Sequence, residues 1–298
     1  MAKKASAKRK TGGGQFNPDS GNLYFTASDL SYSKEAIEAG LVKSILIAFP
    51  SLKEKDIPFV EETADKGVNV MLDSGVYSLA QKMAEEKNLT QTQAFGLAPE
   101  EVTGYDKLKE NYIKTIKQFE PHIWGYVEID FGGETNKRRV RTELESLGLR
   151  PIPVYHPFND TPEYFDELAS TYDRICIGNI VYAEPAIRAR LLHTFYERKK
   201  KFEPLWIHLL GLSPNNVLYT FPMNSCDSSS WLSRSRHGQI ATTAGGYNLG
   251  NLPRKYIYKL GDNESLKKLV HLMSYNASML ENEWQTIERE KEKLHGRK

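Results

Sequence analysis

The chain has 298 residues, of which 40% are hydrophobic and 11% aromatic, so it can bury a sizeable core in one large barrel or in two ordinary domains. Its formal net charge of +2 excludes a uniformly basic protein that coats nucleic acid, although short basic runs are present. Cys176 and Cys226 are the only cysteines and form no CxxC pair, which argues against a disulfide framework and against a structural zinc site.

The sequence predicts no membrane association. The basic N-terminal stretch is followed by "TGGGQFNPDSG" and not by an apolar segment, so we expect no secretory signal. No run of about 18 apolar residues occurs, so we expect no transmembrane helix and no membrane partner. With so few cysteines, a reducing cytoplasm is the expected compartment.

Strand-like and helical segments alternate along most of the chain. Residues 1–20, rich in Lys, Gly and Ser, are predicted to form a disordered basic N-terminal arm before a single domain at 21–298. The predicted strands are "LYFTAS" (23–28), "SILIAF" (44–49), "VNVMLD" (68–73), "WGYVEID" (124–130), "PIPVYH" (151–156), "RICIG" (174–178), "WIHLLG" (206–211) and "MNSCDS" (223–228). Eight such units, with helical spacing between most of them, predict an α/β fold of the (β/α)8 TIM-barrel class.

Three further features of the sequence fit this fold class. No GxGxxG follows the first strand, which argues against an open Rossmann sheet. The stretch 79–105 is longer than a plain loop needs, and we expect it to shape the mouth of the site. The C-terminal "NESLKKLVHLMSYNASMLENEWQTIEREKEKL" predicts one or two amphipathic helices that close the barrel.

Polar residues and glycines follow the predicted strands. In a TIM barrel the carboxyl ends of the strands carry the catalytic groups. The residues at these ends are Asp73 and Ser74 (third strand), Asp130 (fourth), His156 (fifth), Gly178 and Asn179 (sixth), Leu210 and Gly211 (seventh) and Asp227 (eighth). A single aspartate here is as often a helix N-cap, and a strand histidine such as His156 or His208 is more often a satisfied core residue. Three aspartates at one rim favour a catalytic site.

Paired carboxylates suit chemistry at the anomeric carbon of a sugar. One carboxylate attacks that carbon, and another moves protons on the leaving group. A glycine such as Gly178 lets a flat ring approach the backbone, and an aspartate can accept hydrogen bonds from N1–H and the 2-amino group of guanine. Tyr77, Phe131 and Trp231 could stack on a base, although core packing is the commoner role. These residue types favour a purine-exchanging enzyme without separating it from a sugar hydrolase.

Three motifs in chain order resemble those of the tRNA-guanine transglycosylase superfamily. "LDSGVYS" (72–78) is similar to the family's "DSGGFQ", and "RICIGNI" (174–180) is similar to its "IGG" strand end. "WIHLLGLSPNNVLYTFPMNSCDSSSWLSRSRHG" (206–238) resembles its "LMGVG … FDCVLPTRSGRHG" stretch. The order and the rough spacing hold over residues 23–240.

The resemblance implies a role for each matching residue. Asp227 would be the nucleophile, Asp73 the general acid/base and Asp130 the base-recognition aspartate. Gly178 would face the bound base, with Ser74, Asn179, Gly211 and His156 also on the substrate side. Arg234 and Arg236, with His237 beside them, would meet backbone phosphates.

The chain departs from the tRNA-modifying members in ways that bear on the substrate. They carry a CxCxxC…His zinc site after the nucleophile, whereas here no cysteine follows Cys226. The chain therefore looks most like the zinc-free DpdA-type enzymes of phages and bacterial modification islands, which place 7-deazaguanines in DNA. This resemblance implies DNA and a 7-deazaguanine base as partners, with no metal and no cofactor.

Two alternatives to this reading stay open. They are a zinc-free tRNA-guanine transglycosylase and a catalytically silent nucleic-acid-binding subunit. The three aspartates argue against the silent subunit. Accessory proteins and a homodimer are both compatible with the sequence.

Overall fold

Eight parallel strands form the central sheet of the protein. A computed structural model describes residues 22–27, 30–38, 40, 42–215, 217–232, 239–242, 245–248 and 265–295. The strands are β1 (Asn22–Ala27), β2 (Ser44–Ala48), β3 (Asn69–Asp73), β4 (Gly125–Tyr126), β5 (Val154–Tyr155), β6 (Arg174–Ile177), β7 (Trp206–Leu209) and β8 (Ser225–Ser228). They lie in the order β4-β3-β2-β1-β8-β7-β6-β5, and each pair is parallel.

The sheet curls until its two edge strands meet. Val127 directly follows β4 and forms a parallel bridge with Ile152, which precedes β5. The Ile152 N–H donates to Tyr126 O at 2.7 Å, and the Glu128 N–H donates to Ile152 O at 2.9 Å. All eight predicted strands are present, and the predicted TIM-barrel fold class is confirmed.

Helices cover the outside of the barrel and connect its strands. They are α1 (Leu30–Glu38), α2 (Ile57–Asp65), α3 (Val76–Lys87), α4 (Gln91–Phe95), α5 (Tyr105–Phe119), α6 (Gly133–Ser146), α7 (Pro162–Thr171), α8 (Pro185–Lys199), α9 (Val217–Thr220) and α10 (Ser265–His295). The predicted C-terminal helices are one helix, α10, which contacts β1 and α9. An antiparallel hairpin of β9 (Gln239–Thr242) and β10 (Gly245–Asn248) was not expected from the sequence.

Alternating side chains of the strands divide the core into two layers. In β1, Leu23 and Phe25 pack outward against the helices, whereas Tyr24 belongs to a second cluster with the interior side chains Met71 and Trp206. This alternation is the period of two that a strand imposes. The interior cluster fills the barrel below the strand ends, so the space above them is left for polar side chains.

The predicted N-terminal arm, residues 1–20, lies outside the described residues. Within the described part of the chain, no helix combines the length and the apolar character needed to cross a bilayer.

Candidate active site

A cavity of about 390 Å³ opens at the carboxyl ends of the barrel strands. This is within the range of about 300–1,000 Å³ that is usual for small-molecule sites. The sequence-predicted residues that line it are Asp73, Asp130, His156, Gly178, Asn179, Leu210, Gly211 and Asp227. The three aspartates therefore share one cavity.

Asp227 lies on β8 in a set of directed hydrogen bonds. The Gly211 N–H donates to its Oδ1 at 2.7 Å, and His208 Nε2 lies 3.2 Å from the same oxygen. The Thr26 hydroxyl donates to Oδ2 at 2.9 Å. Only 6% of the side chain is exposed, so these donors stand in for water around the carboxylate. The carboxylate is therefore held in one orientation.

Asp73 ends β3 because the chain turns sharply at Gly75. Gly75 has φ +75°, and a Cβ there would lie 2.6 Å from Cδ of Pro50, so no other residue fits without rearrangement. The turn brings the N–H groups of Ser74 and Gly75 to the Asp73 carboxylate. The "DSG" sequence therefore places this carboxylate at the cavity wall.

The pKa of Asp73 is raised to about 7. Burial is the largest cause, followed by the negative charges of Asp130 and Asp227, whereas the backbone N–H groups of Ser74 and Gly75 act in the opposite direction. A carboxyl with a pKa near neutral pH can both give and take a proton. Asp73 therefore has the property that a general acid/base needs.

Asp130 and His156 form a buried pair beside Asp73. His156 Nε2 lies 2.7 Å from Asp130 Oδ2, and the two side chains are 2% and 6% exposed. Burial lowers the pKa of His156, and the charge of Lys137 lowers it further. A neutral His156 next to an ionised carboxylate carries its proton on Nε2 and donates it to Asp130. This orients the second carboxylate oxygen of Asp130.

A buried ion pair fixes the backbone next to His156. Lys137 on α6 pairs with Asp160, and both side chains are fully buried. Lys137 Nζ also donates to Val154 O at 3.0 Å, and the His156 N–H donates to Asp160 Oδ2 at 2.7 Å. These bonds fix the end of β5 and hence the position of the imidazole.

Gly178 lies against the side chain of His156. A Cβ at this position would lie 2.7 Å from His156 Nε2 and 2.8 Å from its Cδ2. The imidazole of His156 therefore packs closely against this glycine, while the prediction that Gly178 faces a bound base stays a prediction. Gly178 also lines the cavity.

The other predicted site residues have different positions. Ser74 is fully buried, does not line the cavity, and its hydroxyl has no partner among the described residues. Asn179 lines the cavity with φ +63°, and its Nδ2 donates to Asn159 Oδ1 at 3.1 Å. Arg234, Arg236 and His237 lie outside the described residues.

Two tyrosines form the exposed aromatic part of the cavity wall. Tyr77 and Tyr182 both line the cavity, are 51% and 40% exposed, and have ring planes that differ by 5°. Of the other candidate stacking residues, Phe131 packs against Phe95 in the core, and Trp231 packs edge-on against Phe25. Tyr77 is thus the one of those three candidates that faces the cavity.

Sequence reasoning missed two residues that contact Asp227. The sequence pattern favours a satisfied strand histidine at His208, and it does not distinguish Thr26 from other strand residues. The register of the sheet brings them there, because His208 pairs with Ser225 on β8 and Tyr24 pairs with Asp227. In the sequence, only the alternation of side chains along β1 and β7 could have indicated that Thr26 and His208 lie on the same side of the sheet as Asp227.

Among the described residues, no group of three or more His, Cys, Asp or Glu side chains has a metal-binding arrangement.

The comparisons with known proteins bear on the fold alone. No family model and no curated protein matches the chain. A solved structure described as a fructose-1,6-biphosphate aldolase from Coccidioides immitis is 12% identical, with 92% of each chain covered and a TM-score of 0.53. A protein of Aquifex aeolicus VF5 is 10% identical, covering 88% of this chain and 91% of that one, with a TM-score of 0.48. A tryptophan synthase alpha-subunit from Pyrococcus furiosus is 11% identical, covering 87% and 96%, with a TM-score of 0.43.

Proposed function

We propose that the protein is a base-exchange transglycosylase that replaces guanine in DNA by a 7-deazaguanine base. The observation that carries the proposal is the division of labour among three carboxylates in one cavity. Asp227 is fixed by hydrogen-bond donors, Asp73 has a pKa of about 7, and Asp130 is oriented by His156. Carboxylates whose surroundings differ in this way take different roles in one reaction.

The reaction proceeds in two displacements at C1′ of the deoxyribose. Asp227 attacks C1′, and the electron pair of the C1′–N9 bond leaves with guanine, which takes the proton of Asp73. The 7-deazaguanine then gives its N9 proton to Asp73, and its N9 attacks C1′ while Asp227 leaves as a carboxylate. Two inversions retain the configuration at C1′. One glycosidic bond is broken and a similar one is formed, so no ATP is required.

Asp130 suits the recognition of the base. Its Oδ2 accepts from His156, and its Oδ1 has no partner among the described residues. A guanine or a 7-deazaguanine offers N1–H and the 2-amino group as donors, and both fit an ionised carboxylate. Tyr77 at the cavity wall offers a face on which the base can stack.

DNA is favoured over tRNA by features of the sequence. No cysteine follows Cys226 in this sequence, whereas the tRNA-modifying members of the family that it resembles carry a CxCxxC…His zinc site after the nucleophile. Its basic N-terminal residues and the run at 234–237 suit a long polyanion. A target base in duplex DNA would have to leave the stack, which costs roughly a few kcal/mol.

The test is a competition assay with labelled guanine, DNA and tRNA at matched salt. Label should enter DNA, and both Asp227→Asn and Asp73→Asn should abolish its entry while DNA binding persists. Label recovered mainly in tRNA would contradict the choice of DNA. DNA binding without any exchange by the wild-type protein would favour the silent-subunit alternative.

A further inference from the structure

His208 lies directly below Asp227 and is fully buried. It is not among the residues that line the cavity. Its Nε2 lies 3.2 Å from Asp227 Oδ1, and its Nδ1 lies 2.8 Å from the Ser225 hydroxyl. The ring packs edge-on against Tyr24 at 5.5 Å and lies nearly parallel to Trp206 at 5.8 Å. The imidazole is therefore held between two rings with both nitrogens engaged.

The partners of His208 determine its tautomer. An ionised carboxylate can only accept hydrogen bonds, so Nε2 carries the proton that Asp227 Oδ1 accepts. The other ring nitrogen, Nδ1, is hydrogen-bonded to the Ser225 hydroxyl. The Ser225–His208–Asp227 chain thus aims one N–H at one oxygen of the carboxylate.

The hydrogen bonds distinguish the two oxygens of Asp227. Each carboxylate oxygen has about two lone-pair positions. Among the residues that the structure describes, Oδ1 accepts from both the Gly211 N–H and the His208 N–H, whereas Oδ2 accepts only from the Thr26 hydroxyl. Thr26 lines the cavity, so Oδ2 is the oxygen on the cavity side that has a lone pair left.

Building on the proposed function, we propose that His208 is a positioning residue that makes Oδ2 the attacking atom of Asp227. With the Gly211 N–H it occupies Oδ1 and fixes the plane of the carboxylate. The C1′–Oδ2 bond then forms as the C1′–N9 bond breaks. In the second displacement the C1′–Oδ2 bond breaks, its electron pair returns to Asp227, and the hydrogen bond from His208 stabilises the departing carboxylate.

The test compares His208→Gln, His208→Asn and His208→Leu, with His193→Leu as the matched control. A glutamine places an amide N–H near the position of Nε2, whereas an asparagine reaches only the position of Nδ1. His193 lies exposed on α8 and does not line the cavity. The assay is the exchange of tritiated guanine into mixed-sequence DNA, with kcat, the KM for guanine and the amount of covalent adduct measured for each variant.

His208→Leu and His208→Asn should lower kcat by about 10- to 100-fold, which is the effect of one hydrogen bond to a charged group. The KM for guanine should change little, because Asp130 and His156 are untouched. His208→Gln should recover most of the activity, and His193→Leu should match the wild type. The comparison of the Gln and Asn variants tests whether an N–H is needed at the position of Nε2, even if the Leu variant does not fold.

Equal activities of the Gln and Asn variants, or a raised KM with unchanged kcat, would overturn the role of His208 alone. A wild-type protein that exchanges no guanine would instead overturn the proposed function and this inference with it.

Discussion

Replacing Asp73 by asparagine should stabilise the folded protein at pH 8 and lose that advantage as the pH falls. The pKa of Asp73 is raised from 3.8 to about 7, chiefly by burial and then by the charges of Asp130 and Asp227. A carboxyl whose pKa is higher in the folded state binds its proton more tightly there than in the unfolded chain. Its favourable contribution to stability is complete below about pH 4 and is lost as the pH rises through 7.

The magnitude follows from the size of the shift. A difference of about three pKa units corresponds to about 4 kcal/mol of destabilisation at pH 8. Asparagine keeps a side-chain oxygen that can accept from the N–H groups of Ser74 and Gly75, but it carries no charge. Asp73→Asn should therefore gain up to about 4 kcal/mol relative to the wild type between pH 4 and pH 8.

The assay is urea unfolding of the wild type and of Asp73→Asn at several pH values from 4.5 to 8. Asp65→Asn, at an exposed site on α2, is the matched control and should show no comparable trend. A difference between the wild type and Asp73→Asn that stays constant from pH 5 to pH 8 would refute the reasoning. The same substitution should abolish base exchange, so stability would rise while activity is lost.

Four other changes test separate parts of the account. Gly178→Ala should cost about 1–3 kcal/mol in urea unfolding, because its Cβ would lie 2.7 Å from His156 Nε2, and much less in a His156→Ala background. Lys137→Met should cost about 3–5 kcal/mol by leaving the buried Asp160 carboxylate without its cation, and adding Asp160→Asn should recover part of that loss. Arg234→Ala should reduce the slope of log affinity for DNA against log salt concentration by about one. An unchanged slope would mean that the basic run 234–237 is a solvated surface that does not contact DNA phosphates. Treatment with a zinc chelator should leave base exchange unaltered, and loss of activity restored by added zinc would contradict a metal-free mechanism.

The fold could be predicted from the sequence because the strands of a closed barrel are buried on both faces and are therefore mostly apolar. Runs such as "SILIAF" and "VNVMLD" are mostly apolar, and they form β2 and β3. The run "MNSCDS" is polar and still forms β8, because the backbone bonds of β1 and β7 hold it from both sides. The hairpin of β9 and β10 gave no clear signal, since "QIATTAGGYN" carries no alternation that marks two strands.

The candidate site could be predicted from the sequence only in part. Aspartates at strand ends could be predicted, because parallel strands bring their carboxyl ends to one rim. His208 and Thr26 lie within or near strands next to Asp227, and only the register between neighbouring strands brings them to it. The approach of His156 to Gly178 likewise depends on how β5 and β6 sit side by side, which one sequence does not specify.

The most direct test of the central claim is intact-protein mass spectrometry after the protein is mixed with excess DNA and quenched in acid. The account predicts a protein–DNA adduct in which one guanine is missing, mapped by proteolysis to the peptide that contains Asp227. The adduct should be absent in Asp227→Asn, and it should disappear when a 7-deazaguanine is added before the quench. An adduct on another residue, or normal base exchange by Asp227→Asn, would contradict the account.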